Sequence, residues 1–187
     1  MKLMIASDLH GSAKYCRLLL EALNRENPDK LLLLGDLLYH GPRNDLPEEY
    51  APKQVIAMLS GVKDKVLCVR GNCDTEVDQM VLPFPILADY CWLYLDGHAV
   101  FATHGHHHCE AQPPALQPGD ILLCGHTHVP ACRVHDQFTY LNPGSVSLPK
   151  EHSVHGYLVY EAHRFVWKEL SGAVVQDWTV DTPPVLP

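Results

Sequence analysis

The chain has 187 residues, of which 47% are hydrophobic and 19% are charged, a composition that predicts one globular domain over residues 1–187. Its net charge of −8 and its lack of basic runs disfavour nucleic-acid binding driven by electrostatics. The longest aliphatic block, Leu31–Leu34, is far shorter than the roughly 20 apolar residues of a membrane span. Asp8 interrupts the first apolar run too early for a secretory leader. We therefore expect a cytoplasmic protein with no membrane partner.

Five short apolar runs each lead into a polar turn, and each predicts a strand that is buried on both faces. The runs are Leu3–Ala6, Leu31–Leu34, Val66–Val69, Ala99–Ala102 and Ile121–Cys124. After the first run, Ser12 is placed to cap a helix that keeps helical apolar spacing and ends near Asn27. A second helix is predicted over Pro52–Leu59, and the segment from Leu37 to Tyr50 is predicted to be a long loop.

The chain changes character after about residue 80, where hairpin signals become frequent. Asp96-Gly97 predicts a type I′ turn between strands Trp92–Leu95 and Ala99–Thr103. Further strands are predicted over Val129–Val134, Phe138–Leu141, Tyr157–Tyr160, Phe165–Leu170 and Val174–Val180. A βαβαβ half followed by a mainly antiparallel half predicts an α/β (α+β) fold, a four-layer αββα sandwich of two facing mixed β-sheets flanked by helices. The final Pro183–Pro187 is expected to trail along the surface.

Residues with metal-binding chemistry follow all five apolar runs. Asp8-Leu9-His10 follows the first run and His126-Thr127-His128 follows the fifth. If these segments are extended, the side chains at i and i+2 point the same way and can meet one cation. Sites in open α/β sheets lie beyond the carboxyl ends of strands, so these groups are expected to converge. The candidate ligands are Asp8, His10, Asp36, Asn72, His104, His126 and His128.

The order of these residues resembles the motif order of the calcineurin-like metallophosphoesterases. The resemblance is carried by Asp8-x-His10, Gly35-Asp36, Gly71-Asn72, His104 and Gly125-His126-x-His128. The stretches His40–Asn44, Gly71–Asp74 and Asn142–Ser145 are similar to small bacterial phosphodiesterases of that family. The resemblance implies one metal held by Asp8, His10, Asp36 and His128, and a second held by Asp36, Asn72, His104 and His126. The expected pair of divalent ions is Mn²⁺, with Fe, Ni or Zn as alternatives.

The implied reaction is hydrolysis of a small-molecule phosphodiester by in-line attack of a metal-bridging hydroxide. Two divalent ions, less the charges of Asp8, Asp36 and a hydroxide, leave the site at about +1, which attracts phosphate to an acidic protein. Asp36 and Asn72 are the catalytic candidates at this centre. Arg43, in the long loop after Asp36, is either a phosphate-binding side chain or a solvated charge.

The chain departs from the family at Cys73, where many members carry a histidine that protonates the leaving group. Cys73 is either a substitute acid or a residue that fills space. The acid could instead come from His40, His106 or His107. For His107, and for its neighbour His108, the alternative is an ordinary surface histidine. We therefore expect a preference for diesters with good leaving groups.

Two other functions remain open at this point. The family includes non-catalytic scaffolds, which typically lose metal ligands, whereas this chain retains all seven. A phosphomonoesterase or protein phosphatase would use the same metal site, and the acidic balance disfavours a nuclease. The resemblance also suggests a homo-oligomer.

Overall fold

The computed structural model describes residues 1–180, so the predicted course of Pro183–Pro187 lies outside it. The helices are α1 (Ala13–Glu26), α2 (Pro52–Ser60) and α3 (Glu76–Val81), with a 3₁₀ turn at Lys63–Lys65. The strands are β1 (Leu3–Ala6), β2 (Lys30–Leu33), β3 (Val66–Cys68), β4 (Tyr90–Leu95), β5 (His98–Thr103), β6 (Asp120–Leu123), β7 (Pro130–Val134), β8 (Phe138–Pro143), β9 (Gly156–Glu161), β10 (Arg164–Glu169) and β11 (Val174–Thr179). No helix within residues 1–180 has the length and apolar character needed to cross a membrane.

The strands form two mixed sheets. The first sheet has the order β11-β10-β9-β1-β2-β3, in which β1, β2 and β3 are parallel and β9 to β11 are antiparallel. The second has the order β4-β5-β6-β8-β7, with β5, β6 and β8 parallel and β4 and β7 antiparallel to their neighbours. The prediction of two mixed sheets with flanking helices is confirmed.

Alternate residues of the first sheet supply two different cores. Leu3 and Ile5 of β1 pack with Val100 and Ile121 of the second sheet, which places this core between the sheets. Met4 and its neighbours on the opposite face pack against α1 and α2. The outer face of the second sheet is covered by Leu116 and other residues between β5 and β6, a segment without a helix.

The local predictions for the first half hold closely. The side chain of Ser12 accepts a hydrogen bond from the Tyr15 amide at 3.3 Å, and α1 ends before Asn27, whose φ is 45°. The predicted long loop contains no helix or strand, and it ends in a bridge between Ser12 and Tyr50. The type I′ turn is also confirmed, because Asp96 and Gly97 both have positive φ.

Two predictions about elements need correction. The run at Val66–Val69 was expected to be buried on both faces, but β3 lies at the edge of its sheet and Leu67 is 37% exposed. The short helix α3 was not predicted. Its sequence signal is a capping box, in which Thr75 and Asp78 exchange hydrogen bonds between side chain and backbone.

Candidate metal centre

The parallel strands bring all seven candidate ligands to one edge of the two sheets. Asp8 and Asp36 follow β1 and β2, Asn72 follows β3, and His104 directly follows β5. His126 and His128 follow β6, which belongs with β5 to the second sheet. Their side chains reach the same centre as those from the first sheet. The acidic and imidazole groups of this set are buried, apart from His126, which is half-buried, while Asn72 is exposed.

Asp8, His10 and His128 form the first part of the centre. The Nε2 of His128 lies 3.3 Å from Asp8 Oδ1 and 3.3 Å from His10 Nε2. The Nε2 of His10 lies 3.7 Å from Asp8 Oδ1 and 3.7 Å from Asp36 Oδ2. One ligand atom from each of these three residues falls within 4.8 Å of the others, which is close enough for one ion.

His104 forms the second part with Asn72 and His126. The Nε2 of His104 lies 3.0 Å from Asn72 Oδ1, 3.2 Å from His126 Nδ1 and 3.5 Å from Asp36 Oδ2. The same Asp36 oxygen therefore approaches His10 of the first group and His104 of the second. One carboxylate oxygen therefore lies between the two groups of candidate ligands.

Backbone carbonyls orient the imidazoles. The Nδ1–H groups of His10, His104 and His128 donate to the carbonyls of Tyr39 at 2.8 Å, Leu34 at 2.6 Å and Leu148 at 2.6 Å, respectively. Each ring then directs its Nε2 towards the centre. This is the arrangement of histidines that bind metals, in which the second ring nitrogen is held by an outer acceptor.

The backbone of the ligand loops differs from the prediction. The extended geometry expected for Asp8-Leu9-His10 and His126-Thr127-His128 is wrong, because both residues of each pair adopt left-handed conformations. The φ angles are 58° for Asp8, 49° for His10, 56° for Asp36, 67° for His126 and 62° for His128. Such residues each cost about 1–3 kcal/mol and cluster at functional sites. The side chains still converge, but through tight turns beyond the strands.

A close approach of two loops sets the distance between Asp36 and Asn72. A Cβ added to Gly71 would lie 2.1 Å from Asp36 Oδ1, and one added to Gly35 would lie 2.3 Å from the Gly71 amide. Neither position has room for a side chain. The two glycines before Asp36 and Asn72 therefore let the loops pack against each other.

Sequence reasoning gave no role to Asp74, which joins the same two loops. Its Oδ2 accepts hydrogen bonds from the amides of Asp36 and Gly71, both at 2.8 Å, and its Oδ1 accepts from Leu37 at 2.9 Å. Asp74 is 1% exposed, so these amides replace the water it would otherwise bind. Its place beside Cys73 in the third motif is the signal that could have drawn attention to it.

The segment Asn142–Ser145 forms a wall behind the ligand turns. The Asn142 amide donates to the Gly125 carbonyl at 2.7 Å, and the Ser145 hydroxyl donates to the Asp8 carbonyl at 2.9 Å. Ser147, another residue without a predicted role, donates to the same Asp8 oxygen at 2.9 Å. These bonds hold the left-handed turns at Asp8 and His126 in place.

The charge state of Asp8 fits a divalent cation. Burial disfavours its carboxylate, but the neighbouring imidazoles of His10 and His128 outweigh burial and hold the pKa of Asp8 well below its usual range. Its Oδ1 is buried and accepts no hydrogen bond from residues 1–180. A buried, ionised oxygen that faces two imidazole nitrogens is suited to a metal ion, so the residues fit the predicted cofactor.

Two of the candidate acids, Cys73 and His106, lie next to the centre. Cys73 is buried, with its Sγ in a group with His10 and Asp36 whose ligand atoms lie within 4.8 Å of one another. Burial, and then the charge of Asp36, raise the pKa of the Cys73 thiol. The ring of His106 lies 5.4 Å from that of His104, and burial followed by the His104 charge lowers the pKa of His106 to about 4. His107 is exposed.

A cavity of about 410 Å³ opens over the ligands. Arg43, the candidate phosphate-binding residue, lines it, and Lys150, which sequence reasoning missed, lines it as well. Asp36 is the one acidic residue in its lining among residues 1–180. The rim is therefore positively charged in a protein whose net charge is −8.

The fold and this centre define a metal-dependent phosphoesterase. Residues 1–164 match the calcineurin-like phosphoesterase superfamily domain, and the chain belongs to that family. The resemblance found in its motifs and the prediction of an enzyme that hydrolyses phosphoric esters with metals are thus confirmed.

Named relatives agree with the family assignment. The chain is similar to phosphodiesterase YfcE of Escherichia coli K12, with 49% identity over 150 residues, which cover 80% of this chain and 82% of YfcE. A solved structure of Yfce, described as a phosphoesterase from E. coli, superposes with a TM-score of 0.93 and 41% identity, covering 97% of this chain and all of that one. Phosphodiesterase MJ0936 of Methanocaldococcus jannaschii is 26% identical over 152 residues, covering 77% of this chain and 83% of MJ0936.

A more distant structural likeness involves the Vps29 protein of Entamoeba histolytica. A single-mutant structure of it superposes with a TM-score of 0.63 at 19% identity, covering 97% of this chain. At that identity the likeness concerns the fold alone.

Proposed function

We propose that this protein is a binuclear metal-dependent phosphodiesterase that hydrolyses a small-molecule phosphodiester by in-line attack of a hydroxide. The observation that carries the proposal is the position of Asp36. One oxygen of Asp36 lies 3.7 Å from His10 Nε2 and 3.5 Å from His104 Nε2, so a single carboxylate joins two groups of ligands. The names of YfcE and MJ0936, both phosphodiesterases, support a diester as the substrate.

The proposed metal assignment follows the two groups. Asp8, His10, Asp36 and His128 would hold one ion, and Asp36, Asn72, His104 and His126 would hold the other. The mixture of oxygen and nitrogen ligands suits Mn²⁺, with Fe, Ni or Zn as alternatives. Asn72 contributes a neutral oxygen, so the centre keeps more positive charge than it would with a third carboxylate.

The protein's side chains prepare this centre for a phosphate ester. When bound, the two ions would lower the pKa of a water molecule and offset negative charge on the phosphate oxygens. Arg43 and Lys150 line the cavity, so their charges attract the anionic substrate and orient it over the ligands. Cys73 and His106 stay candidate acids, and a weak or missing acid supports a preference for good leaving groups.

Several sequence predictions become part of this proposal. Residues 1–187 form a single domain, supported by the pairing of β9 with β1, which joins the late strands to the first sheet. A cytoplasmic location and a homo-oligomer are proposed on the sequence and its resemblance alone. A non-catalytic scaffold is disfavoured because all seven ligand residues are retained and converge.

The test is an activity screen on protein reconstituted with Mn²⁺, over matched phosphomonoesters and phosphodiesters. We expect turnover of diesters that is abolished by chelation and reduced by at least about 100-fold in Asp36→Asn, since the shared carboxylate becomes neutral. Asp45→Asn, in the exposed part of the same loop, is the matched control. Turnover that survives both chelation and Asp36→Asn contradicts the mechanism, faster turnover of monoesters indicates a phosphomonoesterase, and no turnover with any ion favours a scaffold.

A further inference from the structure

A second cavity, with a different lining, borders the centre at Cys73. It has a volume of about 360 Å³ and lies between the long loop, α2 and α3. Most of its lining is apolar or aromatic. We call it the apolar groove, and its principal residues are Leu38, Tyr39, Tyr50, Ile56, Val77 and Val81.

The groove adjoins the metal centre at Cys73. Asn72 lines the charged cavity and the next residue, Cys73, lines the groove. The Cys73 Sγ lies within 4.8 Å of ligand atoms of His10 and Asp36. Tyr39 lines the groove with its side chain, while its carbonyl accepts the Nδ1–H of His10. The side chain of Cys73 therefore lies between the groove and the metal centre.

The groove presents apolar surface to solvent. None of the residues of α3 is buried, and Val77 and Val81 are 67% and 46% exposed. Asp78 is the only charged residue that lines the groove among residues 1–180. Its carboxylate is engaged by the amide and hydroxyl of Thr75 at 2.7 and 2.8 Å. The groove thus offers mainly hydrophobic contact with a single acidic side chain, in contrast to the cavity with Arg43 and Lys150.

We propose that the apolar groove binds an aryl or alkyl arm of the phosphodiester, with Cys73 as the boundary between that arm and the metal centre. This inference rests on the proposed phosphodiesterase function. It specifies the substrate class as an asymmetric diester, with one apolar arm in the groove and a polar or anionic arm towards Arg43 and Lys150. A thiol suits the boundary because it is smaller than an imidazole and is itself weakly polar.

The experiment compares two probes that carry one arm each. Binding of phenylphosphonate and methylphosphonate to Mn²⁺-loaded protein is measured by titration calorimetry, and hydrolysis of bis(4-nitrophenyl) phosphate is followed in parallel. Both phosphonates place the same charged group at the metals, so the ratio of their dissociation constants reports the arm alone. We expect phenylphosphonate to bind about 10-fold more tightly, since burial of a small apolar group changes binding by factors of about 10–200.

Groove variants should remove this difference. Val77→Gln and Ile56→Gln are expected to reduce the ratio of dissociation constants to below about threefold, because a polar amide replaces apolar contact. Val175→Gln changes a similarly exposed valine on β11 and should keep the wild-type ratio. Circular dichroism checks that each variant is folded.

The possible failures are distinguishable. Equal binding of the two phosphonates, or a ratio that the groove variants leave unchanged, overturns the groove assignment even when the diester is hydrolysed. If the wild-type protein shows no metal-dependent hydrolysis, the proposed function is wrong, and so is the groove assignment that rests on it. If sedimentation shows that Val77→Gln dissociates an oligomer while the ratio persists, the groove is an interface between copies and the assignment is wrong.

Discussion

Cys73 stands beside Asp36 at the position where many family members place a proton-donating histidine. If a missing acid limits the enzyme, Cys73→His should help esters with poor leaving groups most, because their departing oxygen needs a proton. We expect the ratio of kcat/KM for methyl phenyl phosphate to that for methyl 4-nitrophenyl phosphate to rise roughly 10-fold. Steady-state kinetics on the Mn²⁺-loaded variant measures this ratio.

Cys73→Ser is the matched control, since it keeps a small side chain and adds no imidazole. Its ratio should equal that of the wild type. An unchanged ratio in Cys73→His, in a variant that still binds metal, would show that the acid is not the limiting group. An acid would then already be present in the wild type. His106 would be the next residue to test as that acid, because it lies beside His104 and is partly buried.

The convergence of the candidate ligand residues could be predicted, but their conformations could not. Asp8 and His126 were recognisable because each follows a short apolar run and belongs to a pair spaced i and i+2. Their positive φ angles depend on contacts from distant segments, such as the Ser145 hydroxyl on the Asp8 carbonyl. Such contacts leave no local signal in the sequence. Lys150 was missed for the same reason, since only the fold brings it to the cavity.

The side chain of Asp74 connects the loops that follow β2 and β3. Asp74 accepts amide hydrogen bonds from Asp36, Leu37 and Gly71, so it fixes the loop that carries the shared ligand. In Asp74→Asn the side-chain amide would face at least one backbone N–H. We expect a loss of about 1–3 kcal/mol of unfolding free energy and a 10- to 100-fold weaker metal affinity.

Urea unfolding and metal titration measure these two effects separately. Asp45→Asn removes the same charge from an exposed position and should change neither quantity. Wild-type metal affinity in Asp74→Asn would mean that the two glycines alone hold the loops together. Wild-type stability would mean that the three amides find other acceptors.

Helices and strands could be predicted where residues close together in the sequence determine their structure. The helix α1 combines a serine cap, regular apolar spacing and an asparagine at its end, and all three are visible in the sequence. The helix α3 is only six residues long and has no buried face, so apolar periodicity cannot reveal it. The exposure of Leu67 also escaped prediction, because an apolar run does not show whether its strand lies in the centre or at the edge of a sheet.

At the scale of the whole molecule, the two-sheet arrangement was predictable while the strand order was not. The βαβαβ pattern early in the chain and the hairpin signals after about residue 80 suggest facing sheets. The placement of β9 beside β1 joins residues more than 150 positions apart, for example Leu3 with Tyr160. Pairings of that range depend on the packing of all the elements together. The prediction of the candidate ligands does not depend on the strand order, because it requires only that the carboxyl ends of β1, β2, β3, β5 and β6 lie together.

Glu26 ties several of these elements together on the side of the first sheet that carries α1. Its carboxylate accepts hydrogen bonds from Lys168 at 2.7 Å and from the Tyr157 hydroxyl at 2.9 Å, and it lies 3.2 Å from Lys2 Nζ. These contacts join α1 to β10, β9 and the residue before β1. Burial would raise the pKa of Glu26, but Lys168, Tyr157 and Lys2 outweigh it and lower that pKa below the ordinary value.

The lowered pKa of Glu26 predicts a loss of stability in acid. Because the folded pKa lies below the unfolded value of about 4.3, the contribution of Glu26 is complete above pH 4.3 and is lost as the pH falls through the folded pKa. Glu26→Gln should therefore lower the unfolding free energy by about 1–3 kcal/mol at pH 7, and the difference from wild type should shrink below pH 4. Urea unfolding at pH 7, 5, 4 and 3 measures it, with Glu21→Gln on the exposed face of α1 as control. A difference that stays constant from pH 7 to pH 3 would mean that Glu26 stabilises the fold by packing and not by its charge.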